Sequence, residues 1–231
     1  TRKDFKFSIP DFLTVLTLDY VTFPFGSLIP FLQSLFTEIR NDSDISIIHM
    51  IASGADLEKL DEMFQLLADD IQKKKINFAK IRSLKWDFNP ISPNFISYLN
   101  LQSNLTCLSI SGCYSPSDKA GFNEFCDFIS KSKSLKKLIC RRFDQISLET
   151  LTPQLLGAVL SSNIDFLDIQ SSKGGSACYK PLQDFLTKIE NDQNSQNNQN
   201  IFKCLIYDGL EPEKKEDLID FIKTQVASKL N

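Results

Sequence analysis

Residues 81–91 place apolar side chains at the first, fourth and sixth positions of an eleven-residue window, Ile81, Leu84 and Trp86, followed by Asn89 and Ile91. Alternation through Leu84 and Trp86 predicts a short strand with one buried face. The same spacing returns in Leu105, Leu108, Ile110 and Cys113, with cysteine where the first window has asparagine. Looser copies read Leu13-Leu16-Leu18-Val21-Phe23, Ile45-Ile48-Met50-Ser53-Ala55, Leu135-Leu138-Cys140-Phe143, Ile164-Leu167-Ile169-Ser172 and Ile201-Cys204-Ile206-Gly209. Seven windows thus start near 13, 45, 81, 105, 135, 164 and 201, at irregular intervals of 24 to 37 residues. Between them the apolar period lengthens to that of a helix. Leu28, Phe31, Leu32, Leu35 and Ile39 share one helical face. So do Leu60, Phe64, Leu67 and Ile71; Phe122, Phe125, Cys126 and Ile129; and Leu151, Leu155 and Val159. Leu182, Phe185, Leu186 and Ile189, then Leu218, Ile222 and Val226, complete the series. Ser92-Pro93, Ser147 and Pro181 suit helix starts.

A single strand–helix unit cannot bury its apolar face alone, so such units must stack on one another. The asparagine or cysteine at the ninth position can turn inward and bond the backbone of the loop leaving the strand. The expectation is a single domain over residues 1–231, and a chain opening on Thr1 reads as a fragment of a longer one. Residues 191–200, a run of Asn, Gln, Asp and Ser, have nothing to bury and predict a mobile insertion in the sixth unit.

The window at 81–91 matches the pattern L-x-x-L-x-L-x-x-N/C-x-L at every specified position, and the one at 105–113 follows it closely. With full helices between the strands, the chain resembles the ribonuclease-inhibitor-like subclass of the leucine-rich-repeat family. Its irregular repeat lengths and Ser111-Gly112-Cys113 are also similar to the repeat domain of the CARMIL regulators of actin capping protein. The resemblance covers about residues 12–230. It implies an α/β horseshoe-shaped solenoid of about seven repeats, with a concave parallel sheet and helices on the convex side, that works by binding proteins.

Composition narrows the chemistry. The 231 residues are 42% hydrophobic and include 19 Phe but only 8 Gly, which excludes collagen-like, glycine-rich and wholly disordered chains. A net charge of −3 argues against bulk attraction to nucleic acid. His49 is the only histidine, so histidine-rich metal sites are excluded and any Ser-His or Cys-His chemistry must run through it. An unpartnered surface histidine is the simpler reading, because no companion nucleophile stands beside it. The six cysteines show no C-x-x-C spacing and fit buried thiols of an intracellular, cytoplasmic protein. No apolar run approaches the roughly 18–20 residues of a membrane span. No cofactor is called for: Lys173-Gly174-Gly175-Ser176 lacks the phosphate-loop pattern and reads as a turn.

With the fourth and sixth positions pointing in, the third, fifth and seventh point out of the concave face. Lys85, Lys137, Arg141, Phe166, Asp168, Gln170 and Tyr207 are the expected partner-binding residues among them. Lys137, Arg141 and Phe166 fall in one neighbourhood, and arginine with aromatics is the composition of interface anchors. Trp86, Cys113, Cys140 and Cys204 take inward slots, and Cys107 an outward one. These positions predict a non-enzymatic scaffold that binds a protein partner. Lys131, Lys133, Lys136, Lys137, Arg141 and Arg142 leave a second reading open, a basic patch for an acidic protein, phosphoinositide or RNA, against a plain solvated run.

Overall fold

A computed structural model of the chain describes residues 15–19, 30–31, 34–35, 47–51, 57–73, 81–89, 91–113, 119–141, 148–169, 180, 182–187, 204–206, 216 and 220. The chain is α/β, built on one parallel sheet. Its strands are β1 (Val15–Asp19), β2 (Ile47–Ile51), β3 (Ser83–Asp87), β4 (Cys107–Ser109), β5 (Lys137–Ile139), β6 (Phe166–Asp168) and β7 (Cys204–Ile206). They lie side by side in sequence order, each bonded to the strands before and after it. Helices α1 (Leu57–Gln72), α2 (Pro93–Asn100), α3 (Lys119–Lys131) and α4 (Leu148–Leu160) return the chain between strands.

Register follows the apolar alternation. Leu16, Ile48, Leu84, Leu108, Leu138 and Leu167 form one row across β1 to β6, at the fourth position of each window. From Ile48 onward the row is buried, and so are the sixth-position residues Met50, Trp86, Ile110, Cys140 and Ile169. β7 departs from the expected frame by one residue, pairing Leu205 with Leu167 and Cys204 with Phe166. Its unit therefore starts at 202, and Cys204 moves from the expected inward slot to the row of the third positions. Residues 201–207 are apolar at six of seven places, so either frame satisfies alternation there and pairing with β6 decides.

One hydrophobic core runs between the sheet and the helices. Its bulkiest buried side chains are aromatic: Phe64 of α1 meets Trp86 of β3 edge-on at 5.5 Å, and Trp86 stacks on Phe95 of α2 at 5.3 Å. Burying a side chain of that size contributes about 1.5–3 kcal/mol. The interval between β3 and β4 is the shortest and holds only the eight residues of α2, just over two turns. Ser92 starts that helix, its Oγ accepting the Phe95 N–H at 3.1 Å, with Pro93 in the first turn. Asp61 of α1 accepts from both the backbone and the side chain of Asn94, locking the two helices together.

The ninth-position side chains Asn89 and Cys113 turn inward as the spacing predicts, but the carbonyls they reach belong to strands and not to the loop leaving them. Asn89, fully buried, donates to the Met50 carbonyl at 3.1 Å and the Asp87 carbonyl at 3.0 Å. The Cys113 thiol donates to the Trp86 carbonyl at 2.8 Å. Each stitches its own unit to the one before. Both units also place the eighth residue in the left-handed region, Phe88 at φ 56° and Gly112 at φ 63°. Glycine takes this conformation freely, whereas a phenylalanine there costs about 1–2 kcal/mol. A Cβ on Gly112 would lie 2.3 Å from the Phe88 ring, so the glycine is also the floor beneath it. The 191–200 tract, the helical pattern at 218–226, Arg142 and Cys178 lie outside the described residues.

Candidate binding face

Helices cover the face of the sheet that carries the fourth and sixth positions, leaving the third, fifth and seventh on the other side. Two groups of side chains are organised there. On β3 and β4, Asp87 is only 5% exposed although it stands at a seventh position. Its Oδ1 accepts from Ser109 Oγ at 2.7 Å and from the Ser111 backbone N–H at 2.8 Å. Lys85 lies half-buried beside it, Nζ 3.7 Å from Oδ2. The Ser109 hydroxyl and the Ser111 backbone N–H thus hold an acid presented by β3, and a lysine balances its charge.

On β5 and β6 the same row positions carry a different set. Asp168 has no exposed surface. Arg141 approaches it from the preceding unit, its Nε donating to Asp168 Oδ2 at 2.8 Å and its Nη2 donating to the same oxygen. The Arg141 side chain remains 48% exposed, so the pair joins a buried carboxylate to a half-solvated cation. Ser111 Oγ bonds the Arg141 backbone N–H at 3.1 Å, which links this group to the Asp87 group. One row away, Lys137 places its ammonium 4.3 Å from the centroid of the Phe166 ring, and both residues are half-buried. Such a contact is worth about 0.5–1 kcal/mol at an exposed site.

Of the seven residues expected to bind a partner, the structure brings Lys137, Arg141, Phe166 and Asp168 together across β5 and β6. Lys85 stands apart, on β3. Asp168 is enclosed and meets Arg141 instead of solvent. Gln170 and Tyr207 lie outside the described residues. Comparison with models of protein families and with curated proteins gave no match to this chain.

His49 shares a row with Thr17 and Lys85. Burial first, then the Lys85 ammonium, holds its imidazole below the ordinary value, against a smaller opposing pull from Asp87. At neutral pH it is therefore uncharged. Among the described residues, no group of three or more His, Cys, Asp or Glu side chains is placed to hold a metal ion. No helix among them is long and apolar enough to cross a membrane. Trp86, Cys113 and Cys140 are buried at their inward slots, and Cys107 is half-buried on the open face. Burial pushes the Cys113 and Cys140 thiols up, and that of Cys126 on α3 to about 12, so all three stay protonated.

Three features escape a reading by positions alone. Phe88, 36% exposed at the end of β3, belongs to no expected slot. Ser109 on β4 and Ser111 just after it fill two outward slots and connect Asp87 with Arg141; a hydroxyl row between an acid and an arginine was the available signal. Arg82, exposed at the second position of its window, precedes the strand and escaped a scan limited to outward slots.

Proposed function

We propose that the chain is a leucine-rich-repeat solenoid of about seven repeats that serves as a non-enzymatic scaffold, binding a protein partner on the open face at β5 and β6. The observation that carries this reading is the Lys137–Phe166 and Arg141–Asp168 group. Here a cation on an aromatic ring and a half-exposed arginine are fixed in place before any partner arrives. Side chains already ordered lose little rotamer entropy on binding, and arginine with aromatics supplies the anchors of many interfaces. The parallel sheet in sequence order, with Asn89 and Cys113 stitching successive units, supports the solenoid reading, and the free thiols fit an intracellular setting. Cytoskeletal regulation of the CARMIL type is a narrower form of the same proposal.

The test is capture of partners from native lysate by the full chain, quantified for variants. Lys137→Glu and Phe166→Ala should each cut recovery of a specific partner at least ten-fold while leaving the thermal melt within a few degrees. Lys131→Glu, on the exposed face of α3, should leave recovery unchanged. Equal recovery with all three variants would remove the β5–β6 face from consideration. Arg141→Glu is unsuitable as a probe, since it would set two carboxylates against each other at a buried site.

A further inference from the structure

The cations with described side chains divide by location. Those on helical segments pair four residues apart: Lys73 with Asp69, Lys131 with Asp127 and Lys180 with Asp184. On the sheet, Lys85 and Arg141 pair with Asp87 and Asp168, and Lys137 lies on Phe166. That removes Lys131, Lys137 and Arg141 from the supposed basic cluster. Of that cluster Lys133 and Lys136 remain among the described residues; with Arg82 they are exposed and make no ion pair among the described residues.

These three occupy one rim, where the chain enters β3 to β5. A continuous rung of backbone hydrogen bonds sets it out. Thr106 N–H donates to the Arg82 carbonyl at 2.8 Å, Lys136 N–H to Thr106 at 2.9 Å, and Asp165 N–H to Lys136 at 3.0 Å. Asn163 ties in the loop below by donating to the Lys133 carbonyl at 2.9 Å. Arg82 and Lys136 are two strands apart, about 10 Å, which an extended peptide spans in about three residues. Second-position residues alternate with the open-face third positions Ser83 and Lys137, so the rim faces away from the surface proposed above.

We propose that this strand-entry rim is a second docking surface, and that its occupant is an acidic, extended segment of a partner protein. Charge complementarity is the reason: Arg82 and Lys136 stand in one row and Lys133 in the loop beside it, none with an ion pair among the described residues, in a chain whose net charge is −3, and Asp165 is the one acid in the rung. A nucleic-acid strand fits less well. Single-strand binding uses open aromatic faces for base stacking. None of the rim residues Arg82, Thr106, Lys133, Lys136 and Asp165 is aromatic.

The experiment measures anisotropy of a fluorescein-labelled ten-residue glutamate peptide and of a ten-nucleotide oligothymidylate, each titrated with the full chain at low salt. The expected result is glutamate-peptide binding that the triple variant Arg82→Ser, Lys133→Ser, Lys136→Ser weakens about ten-fold, in keeping with three exposed charge contacts. The variant Lys73→Ser, Lys131→Ser, Lys180→Ser removes the same charge from the helices and should change binding less than two-fold. Equal weakening by both triples would overturn the proposal, since net charge alone would then explain the binding. Tighter binding of the oligothymidylate, or no binding of the glutamate peptide, would overturn it as well. None of these residues belongs to the β5–β6 face, so this outcome is independent of the capture experiment.

Discussion

The β3–β4 and β5–β6 pairs carry an aspartate at outward positions, and the two acids live differently. Asp87 accepts from neutral donors, Ser109 and the Ser111 amide, with the Lys85 ammonium farther off at 3.7 Å, above a core of stacked aromatics. Asp168 is held by the Arg141 guanidinium, above a core of Leu138, Cys140, Leu167 and Ile169. In the first region Asp87, Ser109 and Ser111 act as internal cement and are buried, and of this group only Lys85 reaches solvent. In the second the cations remain half in solvent and can meet another molecule. A position in the repeat therefore says which way a side chain points, while its neighbour in the row decides whether it is consumed by the fold or left available.

That contrast ranks the expected costs of substitution. Trp86→Ala should be the most damaging, about 3–5 kcal/mol in urea unfolding, because it empties the centre of the aromatic cluster. Trp86 is the only tryptophan, so the native emission should also be blue-shifted and shielded from iodide. Arg141→Ala should cost about 2–3 kcal/mol, since it takes the guanidinium away from the buried Asp168 carboxylate. Adding Asp168→Asn should recover more than half of that loss; no recovery would mean the pair is not the source of the stability. A double-mutant cycle between Lys137→Met and Phe166→Leu should give a coupling of only about 0.5–1 kcal/mol. A larger coupling would make β5–β6 as much cement as β3–β4 and erase the distinction.

The smallest effect concerns His49, which lies between the β1 edge and Lys85. Its folded-state pKa sits below the unfolded value, so folding favours the neutral ring. Its contribution to stability is full above about pH 6.5 and declines as pH falls from there toward the folded value. Chain stability followed from pH 7.5 to 5.5 should fall slightly more for the native protein than for His49→Gln. An identical profile for the two would mean that burial and Lys85 do not act on the ring.

Much of the sheet was legible in the sequence because alternation is local. Leu84, Leu108, Leu138 and Leu167 fall in one row as their spacing predicts, and Asn89 and Cys113 turn inward as expected of their slot, though onto strand carbonyls. Where the signal is degenerate, it fails: the apolar run at 201–207 reads equally well in two frames, and only pairing with β6 chooses between them. The Arg141–Asp168 pair was not legible at all, since it joins two residues 27 apart in the chain that belong to neighbouring units. Phe88 was missed for a similar reason. Its backbone conformation and its seat on Gly112 belong to two neighbouring units and not to either alone.

The central claim is that β5–β6 is the docking face and the helices are not. Site-specific photocrosslinking tests it most directly, with benzoylphenylalanine placed at position 166 on β6 and, in a separate protein, at position 66, where Leu66 is 57% exposed on α1. Irradiation in native lysate should give one discrete crosslinked partner from position 166 that Lys137→Glu abolishes, and none from position 66. The same crosslinked partner from both positions, or from position 66 alone, would contradict the account.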